Sequence, residues 1–264
     1  MKILHDQHMH SHYSEDSKED LKAYLDIATK ENINYFITCE HVDFDPPSFD
    51  KSWIADFKAL KEECKSLEKK YPNITFLYGI ELGYRKDHIQ DMKDMLHNNK
   101  FDLVQLSAHD DGINDYYLKE SFLDTYNDLN KYFDKVYEAI TTFNDFDVLS
   151  HFDYGFKTAR MVNKYEDIKK YQDKIEKIFN KLIELNKPLE INAKVQSVIN
   201  DDEYLKYILN LYYSLGGRKL TLSSDAHQVE NYRLNFDKYI KMIKDAGFSY
   251  LCYFINRKEY HFDL

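Results

Sequence analysis

The chain of 264 residues carries 36 Lys+Arg against 46 Asp+Glu, a formal net charge of −10, and is 43% hydrophobic and 31% charged. Such acidity argues against a nucleic-acid partner, because binding a duplex rests on Lys and Arg neutralising phosphates and no basic stripe offsets the balance. Length and composition suit a soluble globular protein with one large α/β barrel or two small domains, and an anionic substrate would need a local source of positive charge.

Cys39, Cys64 and Cys252 are odd in number and form no CxxC pair, which excludes a disulfide framework and suits a reducing compartment. The opening Met1–His12 stretch has no apolar core of signal-peptide length, and no stretch is apolar enough to span a bilayer. The expectation is a cytoplasmic protein with no membrane partner.

Short apolar runs alternate with helical patterns, the mark of parallel β/α units. A strand expected at 2–8 is followed by an amphipathic stretch at 18–31. The next, at 34–39, precedes a stripe of Ile54, Phe57, Leu60, Cys64 and Leu67 at three- and four-residue steps. Strands at 74–81 and 101–108 are followed by helical stretches near 88–97 and 119–142. A strand at 147–151 leads into the stripe Ile168, Tyr171, Ile175, Ile178 and Leu182. Strands at 188–193 and 219–224 precede helices near 202–215 and 232–246, and a candidate eighth strand covers 250–255. No linker or repeat interrupts the pattern, so residues 1–264 are expected to form a single domain.

Of the 11 histidines, six lie at or just past expected strand ends: His8, His10, His41, His109, His151 and His227. Glu81 and Asp225 take the same position. In a closed parallel barrel those ends converge on the face where active sites are built. Residues i and i+2 of an extended strand project to the same side, so the imidazoles of His8 and His10 can reach one metal, and Asp225-Ala226-His227 repeats the spacing. Imidazole and carboxylate without thiolate suit Zn, Mn or Fe. His5, His88, His97 and His261 are expected to be structural or solvated, His12 has either a supporting contact or no role, and Cys39 is expected to be a buried strand thiol.

The segments carrying this pattern are Asp6-Gln7-His8-Met9-His10-Ser11, Thr38-Cys39-Glu40-His41, Gly79-Ile80-Glu81-Leu82-Gly83, Ser107-Ala108-His109, Ser150-His151-Phe152-Asp153, Leu189-Glu190-Ile191-Asn192 and Ser223-Ser224-Asp225-Ala226-His227. In this order they resemble the polymerase and histidinol phosphatase (PHP) superfamily, and within it the stand-alone histidinol-phosphate phosphatase branch. The resemblance implies a distorted (β/α)7 barrel whose strand ends hold two or three divalent transition metal ions. Carried over, His8, His10, Glu81 and Asp225 would bind one metal. Glu81 would bridge to a second with His109 and His151, and His41 and His227 would bind a third with Asp16, which stands where many members have histidine. Glu40 replaces a more usual Asp.

The branch binds phosphate through arginines after the fifth and sixth strands. Lys157, Arg160 and Lys194 occupy those loops here, and lysine offers a point charge without the guanidinium fork. The implied reaction is hydrolysis of a phosphate monoester, L-histidinol phosphate to L-histidinol and phosphate in histidine biosynthesis, on a small phosphorylated substrate. Glu81 would be central to catalysis, and His227 or Asp153 would orient or protonate groups near the leaving alcohol. Three alternatives stand beside it: a PHP phosphoesterase for another small ester or nucleotide, an amidohydrolase-type metal hydrolase, and a non-catalytic metal-binding module. An amidohydrolase would have no ligand histidine after the second strand, and a lapsed module would lack ligands. The resemblance leaves the oligomeric state open.

Overall fold

In the computed structural model, which describes residues 4–159 and 161–264, the apolar runs become the strands of one curled sheet and the stripes become helices packed outside it. The strands are β1 (Tyr35–Asp43), β2 (Trp53–Ile54), β3 (Thr75–Gly83), β4 (Leu103–Ser107), β5 (Val148–Leu149), β6 (Leu189–Asn192) and β7 (Leu220–Ser223), in the sheet order β2-β1-β3-β4-β5-β6-β7. All neighbouring pairs are parallel except β1 with β2. Strands β4 to β7 are buried throughout, as expected of a parallel sheet covered on both faces.

The expected first strand is the main correction. Residues 4–8 form no strand, and the only ladder contact of this run is a bridge from Met9 to Ala226. Its side chains take over the work of backbone pairing. The Gln7 side-chain amide donates to Cys252 O at 2.9 Å and accepts from Phe254 N at 3.1 Å, while Asp6 accepts from the backbone N–H of His8, Ser224 and Arg233. The run still closes the sheet. Cys39 N donates to Met9 O on one side, and on the other Asp225 N donates to His8 O and His10 N to Ala226 O, at 2.7–2.8 Å. With this irregular seventh position the architecture is an α/β distorted barrel.

The stripes pack as expected with one exception. In the helix Phe57–Glu68, Phe57, Leu60, Cys64 and Leu67 are buried, but Ile54 lies outside it on β2 and is exposed. In the second stripe all five residues are buried, with Ile175, Ile178 and Leu182 on the helix Gln172–Glu184, Ile168 ending the short α-helix Lys164–Ile168 and Tyr171 ending the 3-10 helix Lys169–Tyr171. The candidate eighth strand, β8 (Tyr250–Ile255), does not join the barrel. It pairs antiparallel with β9 (Lys258–Asp263), a strand the periodicity did not suggest. Cys252 and Phe254 of β8 pack against Ile37, Leu77, Leu103 and Val148, closing the end of the barrel opposite the histidines. All three cysteines are buried and free.

Candidate active site

The site grows from the strand ends. The parallel register of β1 and β3 sets His41 beside Glu81, and that of β3 and β4 sets Gly83 beside Ser107. After β7 the backbone of Asp225 turns with φ 54°, in the left-handed region that Asp tolerates better than most side chains. Pairing with β6 stops at Ser223, and Asp225 and His227 come to line the same cavity as His41, Glu81, His109 and His151.

Glu81, 1% exposed, lies at the centre. Its Oε2 is 3.2 Å from His8 Nε2, 3.4 Å from His10 Nε2 and 3.2 Å from His41 Nδ1. Its Oε1 is 3.1 Å from His109 Nε2 and 2.7 Å from His151 Nε2, and accepts from Ser107 Oγ at 2.6 Å. Asp225 Oδ1 lies 3.4 Å from both His10 Nε2 and His227 Nδ1. Asp16 spans the outer pair, with Oδ2 2.8 Å from His227 Nε2 and Oδ1 3.6 Å from His41 Nε2. All nine residues expected to bind metal therefore meet in one network.

That network suits cations. His8 Nε2, His10 Nε2 and His41 Nδ1 are buried beside Glu81 without a well-aligned hydrogen bond, and His151 Nδ1 is buried with no hydrogen-bond partner, a condition costing about 1–3 kcal/mol per group when nothing else satisfies it. The ligand atoms of His8, His10 and Glu81 lie within 4.8 Å of one another, as do those of His41, Glu81 and His109 and those of His10, His41 and His227. These are groups that can hold metal ions. Two carboxylates to which the sequence reading assigned no role aim the rings. Glu190 contacts His8 Nδ1 at 2.7 Å and accepts from His151 N at 2.8 Å; Asp43 contacts His109 Nδ1 at 2.7 Å. A carboxylate on the far nitrogen sets the ring's orientation and raises its basicity as a ligand. Both left a trace in the sequence: Asp43 repeats the i, i+2 step after His41, and Glu190 is a charge inside an apolar strand.

The electrostatics follow. Burial disfavours charge on Glu81, but His8, His109, His41 and His151 outweigh it and hold the carboxyl well below its usual range. Burial likewise opposes a proton on His109, yet Asp43 and Glu81 lift that imidazole to about 10. For His10, burial and then the neighbouring His41 and His227 push the other way, well below 6.5. The network thus gathers positive charge around its carboxylates, a place that divalent ions can take over from protons.

The cavity above it, of about 530 Å³, is lined further by Lys157 and Lys194. Lys194 Nζ lies 3.4 Å from Asp225 Oδ1 and 3.0 Å from His227 Nδ1, and Lys157 Nζ sits 3.8 Å from the centroid of the Tyr154 ring. Burial, followed by Lys194, lowers Lys157 to about 8. Arg160 lies outside the described residues. Asp153, expected near the leaving group, does not line the cavity. It is buried with its Oδ2 accepting from Gln196 Nε2 and Tyr204 Oη, both at 2.9 Å, so it braces the segment after β5. His12 is also outside the cavity, 3.3 Å from Glu63. A separate group, Cys252, Glu259 and His261, lies on the β8–β9 hairpin, where Lys219 already pairs with Glu259 at 2.8 Å.

The chain is similar to known proteins over most of its length. A probable histidinol-phosphatase of Clostridium acetobutylicum is 26% identical over 247 residues, covering 93% of this chain and 94% of the relative. A histidinol-phosphatase of Lactococcus lactis is 25% identical over 257 residues, covering 96% and 95%. Among solved structures, histidinol phosphate phosphatase from Lactococcus lactis, complexed with zinc, L-histidinol and phosphate, superposes with a TM-score of 0.88 at 24% identity, covering 97% of this chain and 98% of that one. A putative histidinol phosphatase from Listeria monocytogenes superposes with a TM-score of 0.71 at 15% identity, covering 89% and 99%. The PHP domain matches residues 6–194, from the irregular N-terminal run to the start of the helix Ala193–Ile199 that follows β6, and with that match over most of its length the chain belongs to the PHP domain family.

Proposed function

We propose that the chain is a metal-dependent phosphate monoester hydrolase that converts L-histidinol phosphate to L-histidinol and phosphate. The observation that carries the chemistry is Glu81 with five imidazoles on its two oxygens, at the floor of a cavity that also presents two lysines. The full-length likeness to histidinol-phosphatases supports the substrate.

Two or three ions of the Zn, Mn or Fe type fit the donor set of imidazole and carboxylate. His8, His10, Glu81 and Asp225 would hold one, Glu81 with His109 and His151 a second, and His41, His227 and Asp16 a third. Bound there, the ions lower the pKa of water and offset negative charge on the phosphoryl group. The protein's own residues do the rest. Glu190, Asp43 and Ser14 hold the rings of His8, His109 and His10 in place before substrate arrives. Lys157 and Lys194 supply positive charge to the phosphoryl oxygens from the cavity wall, and Lys194 is kept beside the cluster by Asp225. His227, fixed between Asp16 and Lys194, orients groups at the cavity floor.

A panel of phosphate monoesters, assayed by phosphate release on protein of measured metal content, tests the reading. L-histidinol phosphate is expected to give the highest kcat/KM; a nucleotide preferred over it, or a flat profile, overturns the substrate. Full activity and full metal content in folded Glu81→Ala protein would overturn the site.

A further inference from the structure

The cavity has two chemically different parts. Its floor is the charged network, whereas its outer wall carries the rings of Phe49 and Trp53, with centroids 4.1 Å apart and planes at 50°. Phe49 is 44% exposed and Trp53 is half-buried. The indole is placed by β2, a strand of two residues whose pairing sets Trp53 opposite Asp43 and Ile54 opposite Val42. This register sets the indole and the His41 imidazole in a T-shaped arrangement, with centroids 6.1 Å apart and planes at 68°. So short a strand adds little to the sheet, and neither ring belongs to the buried core. What β2 does is hold an apolar aromatic face at the edge of a charged site, where a planar group of a ligand can cover it.

Resting on the substrate reading above, we propose that Trp53, backed by Phe49, is a specificity residue that receives the planar imidazole ring of the leaving alcohol. The phosphoryl end faces Lys157 and Lys194, and the short carbon chain between phosphate and ring suits a wall that begins beside His41 and Asp43. Asp115 also lines the cavity, and its negative potential favours a ring that carries a proton, which an indole face binds better than a neutral one.

Trp53 is the only tryptophan of the chain, so its fluorescence reports on this wall alone. In the metal-loaded protein, L-histidinol is expected to change the emission in a saturable way, and L-alaninol, which has the amino alcohol without the ring, is not. Trp53→Leu is expected to lower kcat/KM for L-histidinol phosphate by about tenfold, mainly through KM, the scale of one lost aromatic contact. The same variant should stay within about twofold on L-alaninol phosphate, and Trp53→Phe should recover most of the loss. Equal losses on both substrates, no loss on either, or emission indifferent to L-histidinol would overturn the assignment. Wild-type protein inactive on L-histidinol phosphate would instead overturn the substrate reading, which separates the two failures.

Discussion

Glu190 does not itself line the cavity, yet it sits behind His8 and under the backbone of His151, and also accepts from Ser223 Oγ. Burial raises the cost of its charge, but His8, through charge and hydrogen bond, outweighs this and keeps the carboxyl below its usual range. Glu190→Gln preserves the shape and removes the charge that fixes the His8 tautomer. Metal affinity should fall by about 10- to 100-fold with little change in folding, because such supporting carboxylates act through ligand orientation and basicity. Titrating metal into the metal-free variant, with circular dichroism as the control, checks it; unchanged affinity would remove Glu190 from the site. At this scale the sequence was legible where spacing alone exposes function, as in His8-Met9-His10. For Glu190 it showed a charge inside an apolar strand but not its partner His8, which lies 182 positions away.

Among the elements, the β8–β9 hairpin has the clearest structural task. It closes the barrel opposite the histidine cluster, and its turn residue Arg257 reaches Asp147 and, at 3.0 Å, Asp145. Asp147 is 5% exposed, and burial raises its carboxyl, with Arg257 the first group to counter that. Arg257→Ala leaves this carboxylate without its cation. A loss of about 1–3 kcal/mol is expected, the cost of a buried acceptor deprived of its partner, held to the lower part by the partly exposed guanidinium. Urea unfolding should register the loss while kcat/KM stays unchanged, since the hairpin and the histidines occupy opposite ends. The apolar pattern of 250–255 identified a strand, but periodicity carries no information about which sheet it joins. β9 escaped notice because its burial alternates weakly and most of its residues face solvent.

For the molecule as a whole, the net charge of −10 hides a cluster in which Glu81, Asp16 and Asp225 are packed among imidazoles. The arrangement exists only in the folded chain, so divalent ions held by it would stabilise the native state by mass action. Removing metal with a chelator is expected to abolish phosphatase activity and lower Tm together, and restoring Zn or Mn should recover both. Differential scanning fluorimetry before and after chelation, alongside metal analysis, checks this; an unchanged Tm with complete metal removal would mean that the network holds its shape without ions. No described helix is long and apolar enough to cross a membrane.

By itself the sequence determined the alternation of strands and helices, the positions of histidines and carboxylates at strand ends, and the family those positions resemble. Each rests on local order, on period or spacing along the chain. Tertiary structure alone decided that Met1–His12 contributes no regular first strand where it is described, because Asp6 and Gln7 bond to segments more than 200 residues away. It also decided that Asp153 braces a segment after β5 and does not face the cavity, and that β2 holds an indole at the edge of the site. The reason is common to all three: a side chain's role is set by partners that close through space, and spacing along the chain records only partners that are near in sequence.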